Sequence, residues 1–156
     1  MPDTGEIRDE FWKSLGDSPF LFLQRDADPD SASPMTAQLD EDAHGAVWFF
    51  TSKSGPLAAA GPATATFAAK GHALFARLAG SLTEEASRAQ LDKLWSPMVE
   101  SWFQGGKDDP DLLFLRLDLA RAEIWRAHLG MIGMAKMMLG FDVRDTVRGD
   151  HVETAL

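Results

Sequence analysis

Residues 102–125 read WFQGGKDDPDLLFLRLDLARAEIW, and this stretch decides the fold. Gly105 and Gly106 permit backbone conformations that residues with a side chain avoid. Residues 108–110, Asp-Asp-Pro, end any helix before the apolar run that follows. With the cation of Lys107 among them, these residues predict a structured, charged loop held between the tryptophans at the two ends of the stretch.

Short apolar runs separated by turn residues predict a mostly antiparallel sheet. The predicted strands are residues 20–23, 33–39, 47–51, 64–69, 72–82, 112–117 and 122–126. The aspartate-rich residues 24–32 are predicted to form an acidic loop between the first two strands. Lys70-Gly71 is a short connection that favours an antiparallel hairpin between the fourth and fifth strands. Six or seven strands with helices inserted between some of them fit a closed Greek-key barrel.

An amphipathic helix is predicted at the start of the chain. Ile7, Phe11 and Leu15 recur every four residues, which is typical of one buried helix face. Gly16 is a plausible residue for the end of this helix. The pattern therefore predicts a helix over residues 4–15.

Two further helices are predicted between the fifth and sixth strands. Thr83 is expected to be the N-cap of the first of them, and Ser96 is expected to cap a short second helix with Pro97 in its first position. Beyond residue 127 the chain is rich in methionine. Residues 128–156 are predicted to form a C-terminal helical extension that packs on its own barrel, with docking on a partner or a ligand as the alternative.

Composition limits the classes of function. A chain of 156 residues fits one domain, predicted to span residues 1–156 with a core at about residues 4–127. The absence of cysteine excludes disulfides and thiolate metal sites. A formal charge of -9 argues against nucleic acid as a partner. Without a basic apolar leader or a long apolar run, the expectation is a cytoplasmic protein with no membrane partner.

Metal and hydrolase sites are not predicted. The four histidines are isolated from one another in the sequence. Asp26, Asp28 and Asp30 have the spacing of a calcium loop, but Ser31 and Ala37 stand where that loop needs glycine and glutamate. The usual hydrolase and P-loop patterns are missing. Any catalysis would therefore be that of a bound cofactor, and no catalytic side chain is predicted.

Five landmarks, taken in order, resemble the general stress protein family of FMN-binding split barrels, relatives of pyridoxamine 5'-phosphate oxidase. They are Phe11-Trp12, Pro34-Met35, Trp48-Phe49-Phe50-Thr51, Leu94-Trp95-Ser96-Pro97 and the Gly-Gly-Lys-Asp-Asp-Pro loop after Trp102-Phe103. The resemblance runs from about residue 11 to residue 125. It implies a six-stranded antiparallel Greek-key split barrel, mainly β with flanking helices. It also implies a homodimer with two flavin sites at its interface.

The resemblance further implies where the flavin would lie. The ring would contact the second and third strands, at Pro34, Met35, Thr36 and Phe50. A second subunit would complete the site with Trp102, Lys107 and Trp125. Each of these three residues also has a plain structural alternative, as a core anchor, a solvated loop charge or an interface residue.

The loop after the third strand has the composition of a phosphate site, because it offers hydroxyls and a cation. Its residues are Thr51, Ser52, Lys53 and Ser54. A polar solvated turn is the alternative interpretation. Relatives usually have an arginine where this chain has Ser33 and a lysine where it has Leu57. The missing lysine would weaken phosphate binding, and Leu57→Lys would then be expected to strengthen it.

The implied function is a flavin-binding protein, with FMN favoured over FAD or riboflavin. It would be an oxidoreductase of unknown substrate, in which the flavin N5 transfers hydride, or a flavin carrier linked to stress response. The alternative is a non-catalytic dimeric split-barrel binding module that has lost its flavin. Oxidation of pyridoxamine phosphate itself is disfavoured, because residues 148–156 lack the basic segment that would hold the substrate phosphate.

Overall fold

The computed structural model of the protein describes residues 3–127 and 150–156. Its elements, in chain order, are α1 Thr4–Asp17, β1 Phe20–Arg25, β2 Asp28–Thr36, β3 Ala46–Ser52, β4 Gly61–Ala68, β5 Leu74–Glu84, α2 Arg88–Leu94, α3 Pro97–Glu100, β6 Leu112–Arg126 and β7 Asp150–Thr154. A single 3₁₀ turn, Gly106–Asp108, lies between α3 and β6. No helix in these two ranges is long and apolar enough to cross a membrane.

The first helix forms where the sequence predicts it and fills one end of the barrel. The Asp3 carboxylate accepts hydrogen bonds from the backbone N–H groups of Gly5 and Glu6, which satisfies two donors at the start of α1. Ile7, Phe11 and Leu15 are fully buried in the main core. The predicted amphipathic face is thereby confirmed.

The sheet closes on itself through one pair of residues. Its strand order is β2-β1-β4-β5-β6-β3, every pair is antiparallel, and β7 pairs with β6. Just beyond β2, the Gln38 N–H donates to the Trp48 carbonyl over 2.8 Å, and the Trp48 N–H donates to the Gln38 carbonyl over 3.0 Å. This bridge joins the two edges of the sheet. The predicted antiparallel barrel with flanking helices is confirmed, with seven strands in the described residues instead of six.

The last long strand is one element, where two strands were predicted. β6 runs without interruption through 15 residues. The pattern breaks in its middle because the register against β5 shifts, with Ala79 opposite Arg121 but Gly80 opposite Leu119. Ala120 is therefore the extra residue of a β-bulge, which resets which side chains face the core. Gly80 lies at this bulge, and a Cβ there would meet the Asp118 carbonyl oxygen at 2.1 Å.

The acidic hairpin loop predicted between the first two strands is shorter than residues 24–32, with its turn at residues 26–27. β1 and β2 form a tight hairpin, and Arg25 pairs with Asp28 at its end. The buried Ser31 hydroxyl explains how polar residues form this strand: it accepts a hydrogen bond from the Arg25 N–H and donates one to the Asp28 carbonyl. Strand β2 also ends earlier than predicted, at Thr36.

The predicted N-cap at Thr83 is also wrong. Thr83 and Glu84 still belong to β5, where they pair with β6. The cap of α2 is Ser87, whose hydroxyl accepts from the Gln90 N–H at 3.1 Å. The predicted cap at Ser96 is confirmed, because its hydroxyl accepts from the Val99 N–H at 3.2 Å.

The prediction of a C-terminal helical extension is wrong for its last residues. Residues 128–149 lie outside the described residues. Residues 150–154 are a strand, since β7 pairs along β6 from Arg126 to Ala122. Val152 lies opposite Ile124 and is buried in the main core, so pairing with β6 places this apolar side chain among the core residues.

A second apolar cluster lies outside the barrel, where α2 and α3 cover β3 and β6. It contains Ala46, Trp48, Phe50, Leu91, Val99, Phe103, Leu112 and Phe114. The Trp48 Nε1–H donates to the Glu85 carboxylate at 3.1 Å, and the Arg116 guanidinium lies 5.5 Å from the centre of the indole ring. The residue that follows β5 thus adds a polar contact to β3 beside the apolar contacts of the helices.

A buried carboxylate fastens α2 to the connection between β2 and β3. Lys93 Nζ donates to Asp40 Oδ1 over 2.7 Å, and Gln90 Nε2 donates to Asp40 Oδ2 over 3.0 Å. Lys93 also pairs with Asp42 at 2.9 Å. The hydrogen bonds that Asp40 accepts, first from Lys93 and then from Gln90, lower the pKa of Asp40 to about 2.

Gly80→Ala tests the bulge. Because the new methyl group would overlap a backbone oxygen, we expect a loss of about 2 kcal/mol or more in the free energy of unfolding. Gly45→Ala is the matched control, since nothing lies within 4 Å of a Cβ at that position. Urea unfolding of both variants measures the difference, and equal stabilities would contradict the close approach at Gly80.

The pKa of Asp40 predicts a pH-dependent stability. Its folded-state pKa, about 2, lies below the ordinary value of 3.8, so the ionised carboxylate stabilises the fold above pH 3.8. That contribution, about 2 kcal/mol, is lost as the pH falls from about 4 to about 2. Unfolding measured across this range should show a shallower slope for Asp40→Asn than for the wild type. Asp9→Asn, a change at an exposed site on α1, should leave the slope as it is.

Candidate functional site

The two stretches predicted to contact a flavin ring lie on opposite sides of one opening in the barrel. The Gln38–Trp48 bridge is antiparallel. By sequence count from this bridge, Thr36 corresponds to Phe50 and Pro34 to Ser52. No strand pairing joins β2 and β3 there in the described residues. We call this opening, between residues 34–36 and residues 50–52, the seam. Its backbone edges can hydrogen-bond to a planar polar ligand.

The side chains at the seam differ in how far they are exposed to a ligand. Pro34 is exposed and Thr36 is half-buried. Met35 turns inward and packs against the main core. Phe50 is buried in the second cluster, where its ring stacks on Phe114 at 4.5 Å. Of the predicted ring contacts, Pro34 and Thr36 are thus the more accessible side chains.

Gln38 adds a polar group that the sequence prediction did not include. Its side chain shares a face with Thr36 and with its bridge partner Trp48. Its Nε2 is buried and lacks a hydrogen-bond partner within the described residues. A buried donor without a partner is unfavourable, so a ligand oxygen near this end of the seam would satisfy it.

The predicted phosphate loop already contains an anion. The Ser52 hydroxyl donates to the Asp111 carboxylate over 2.7 Å, and the Ser54 hydroxyl lies 2.7 Å from that of Ser52. The Lys53 N–H donates to the Asp111 carbonyl over 2.8 Å. A phosphate at this loop would therefore have to displace a carboxylate from the hydroxyls expected to bind it.

The structure brings together the two lysines assigned to the site. Lys53 and Lys107 line one depression of about 290 Å³, which has Phe114 on its wall and Glu84 at its edge. Lys107 Nζ donates to the Asp92 carboxylate over 2.8 Å. That hydrogen bond lowers the pKa of Asp92. Lys107 is thus placed beside Lys53 of its own chain.

The two predicted tryptophans lie apart from each other. Trp125 is partly exposed on the outer face of the sheet, with the Arg77 guanidinium 5.7 Å from its ring centre and His151 stacked at 5.0 Å. Arg77 also forms an ion pair with Glu123. Trp102 follows α3 and is 45% exposed. Neither is brought to the phosphate loop within this chain.

The expectation attached to Leu57 is wrong. Leu57 is fully buried in the main core, so the side chain there is a packing residue. A lysine at this position would bury an ammonium group, and Leu57→Lys is expected to destabilise the fold instead of restoring a phosphate contact. Arg25 is a cation that the sequence prediction missed: its Nε donates to the Pro56 carbonyl over 3.0 Å and so lies against the same loop.

Comparison with known proteins identifies the group to which this arrangement belongs. The family model described as pyridoxamine 5'-phosphate oxidase like matches residues 6–146. The chain belongs to the pyridoxamine 5'-phosphate oxidase-like family. No curated protein sequence matches the chain at a significant level.

Solved structures of the family agree with the fold. A protein from Xanthomonas campestris pv. campestris, provisionally described as a general stress family protein, is 45% identical, with a TM-score of 0.74 over 81% of this chain and 90% of that one. The general stress FMN/FAD binding protein of Xanthomonas citri is 43% identical, with a TM-score of 0.72 over 79% and 90%. A protein from Jannaschia sp. CCS1, provisionally described as general stress protein 26, is 30% identical, with a TM-score of 0.79 over 99% and 100%.

Asp111→Asn tests whether this carboxylate would oppose a phosphate at the predicted phosphate loop. Removing its charge should tighten FMN binding by about threefold to tenfold and leave riboflavin, which has no phosphate, nearly unchanged. Fluorescence titration of both flavins measures the two ratios. Asp9→Asn, at an exposed site on α1, is the control for a general change in surface charge. An equal change for both flavins would contradict a role for Asp111 at the phosphate.

Proposed function

We propose that this protein binds a flavin, with FMN preferred, at the seam between β2 and β3. The seam is the observation that carries the proposal, because the predicted ring and phosphate residues flank it on two strands whose facing edges are not paired with each other. The similarity to the Xanthomonas citri protein described as FMN/FAD binding supports the same choice of ligand. We expect the protein to act in the cytoplasm.

The residues at the seam suit the ring of a flavin better than its phosphate. The free backbone edges of β2 and β3 and the unpartnered Gln38 Nε2 can hydrogen-bond to the polar edge of the ring. At the phosphate, Lys53 supplies the charge and Arg25 lies nearby. A bound flavin would supply hydride chemistry, so the protein would be an oxidoreductase of unknown substrate. Its own residues would orient the ring and shield it from water.

A second copy of the chain is the proposed partner. Phe20, Phe22, Phe75 and Trp125 are large apolar side chains exposed on the outer face of the sheet. Exposed apolar surface of this kind is typical of a protein interface. Pro34 pairs with Phe22 on this face and also borders the seam. A subunit docked on the outer face would therefore reach the seam, so the homodimer would complete the flavin site.

One observation favours a different function. The Asp111 carboxylate accepts a hydrogen bond from the Ser52 hydroxyl of the predicted phosphate loop, where a phosphate would otherwise bind. If this contact persists in solution, the protein would be a dimeric split-barrel binding module that does not use a flavin phosphate. Its ligand would then be uncharged at this end or absent.

The test of FMN binding is a pair of lysine variants. Lys53→Ala should weaken FMN binding by about tenfold or more, the value of a charge-assisted hydrogen bond, and should weaken riboflavin binding far less. Lys70→Ala removes a lysine from the exposed β4–β5 turn and is the matched control. Titration of tryptophan fluorescence with each flavin gives the affinities. Indifference of the wild type to FMN, FAD and riboflavin would support the module without flavin.

The test of the homodimer is a charge on the outer face. Phe22→Glu should convert the dimer to a monomer in sedimentation experiments, because an unpaired carboxylate would be buried at the interface. Met98 is exposed to a similar extent on α3, and Met98→Glu should leave the dimer intact. A dimer that survives Phe22→Glu but not Met98→Glu would place the interface on the helices instead.

A further inference from the structure

A second concave site lies just beyond the C-terminal end of β2 and beside the start of β3, away from the phosphate loop at the end of β3. It is a cavity of about 360 Å³ between the end of α1, the residues that follow β2 and the start of β3. Pockets for small molecules commonly have volumes of this order and combine apolar walls with a few polar groups. The flavin proposal makes no use of this cavity.

The walls of the cavity are aromatic and apolar. Trp12 and His44 form one continuous surface, with their rings stacked 5.9 Å apart. Pro19, Ala37 and Leu39 supply aliphatic surface. This lining suits a small ligand with an apolar body, and an indole ring also attracts cations that lie over its face.

The charged groups that line the cavity are both acidic. Asp40 and Glu41 are its two ionisable carboxylates. The Asp40 side chain is only 5% exposed, and its pKa near 2 keeps it ionised at neutral pH. Lys93 pairs with both Asp40 and Asp42, so two carboxylates already share one ammonium group, and the exposed Glu41 adds a further negative charge. The cavity therefore has an excess of negative charge.

We propose that this cavity is a second binding site, which takes a small organic ammonium ion with an apolar or aromatic body. The Trp12–His44 surface contacts the apolar body, and the ammonium group lies toward Asp40 and Glu41. The negative charge that attracts a cation would repel the phosphate of FMN, so this site is distinct from the seam. The proposal does not depend on flavin binding.

A ligand bound in this cavity would also affect the contacts of α2. Asp40 is held by Gln90 and Lys93 of that helix, and α2 covers the cluster that contains Phe50. A ligand ammonium that shares the Asp40 carboxylate would therefore act on a contact between the helix and the sheet. This is a physical connection between the cavity and the side of the barrel where the seam lies.

The test uses benzylammonium as the probe and benzyl alcohol as its neutral counterpart of nearly the same shape. Titrations of the full chain are followed by NMR at the Trp12 indole N–H, which is assigned from the spectrum of Trp12→Phe. We expect saturable shifts with benzylammonium at millimolar concentrations and about tenfold weaker binding of benzyl alcohol, the combined size of a cation–π contact and one partly exposed charge pair. Benzoate should not bind.

Two variants test the assignment of the charge. Glu41 is exposed, so Glu41→Gln should fold normally and weaken benzylammonium binding about threefold without changing that of benzyl alcohol. Glu100→Gln, at an exposed site on α3, is the matched control and should change neither. The indole signals of Trp102 and Trp125 should stay in place throughout.

Three results would overturn the proposal. They are no saturable shift of the Trp12 signal, equal affinity for the charged and the neutral probe, and an affinity for benzylammonium that Glu41→Gln leaves as it was. A negative result here would leave the FMN titrations unaffected, and loss of FMN binding would leave these probe titrations unaffected.

Discussion

Two hydrogen bonds between Gln38 and Trp48 turn an open sheet into a barrel. They have ordinary lengths, 2.8 and 3.0 Å, and Trp48 is buried beneath α2 and α3. Because pairing between β2 and β3 is limited to this bridge, the barrel is closed at one level and split at the next. The seam involves the last residues of β2, and the cavity is lined by residues that follow β2 around the bridge. The ion pair between Asp40 and Lys93 holds α2 against the segment that forms the bridge. Both candidate sites therefore depend on the same closure of the barrel.

The sequence predicts those elements whose pattern is local. The face of α1 and the cap at Ser96 depend on residues within a few positions, and both are confirmed. Thr83 was mistaken for a cap because a threonine before two glutamates satisfies the local rule, whereas the pairing of β5 with β6 decides its conformation. The bulge at Ala120 and the buried hydroxyl of Ser31 are likewise consequences of partners in another strand. No periodicity within one segment reveals them.

Prediction of the candidate site is likewise limited by contacts between residues that are distant in the sequence. The sequence placed the stretches around Pro34 and Lys53 together through resemblance, and the register across the bridge brings them to one seam. Asp111 was missed because it meets Ser52 across 59 positions, and the only local signal was an aspartate just before a strand. Leu57 looks like the replacement of a phosphate-binding lysine because the sequence alone does not show that this side chain is buried in the main core. Phe50 has the right residue type for a ring wall, but its ring is already stacked on Phe114.

The length of β6 affects how the chain can fold. This strand pairs with β5 on one edge, and on the other edge its first half pairs with β3 and its second half with β7. The partners of β3 in β6 therefore lie 60 to 72 positions later in the chain. During synthesis the run from Val47 to Phe50, all buried in the finished protein, would leave the ribosome long before the strand that covers it. Such non-local pairing slows folding and leaves an apolar segment open to aggregation. The nascent chain would thus be most vulnerable in the interval before residue 118 emerges.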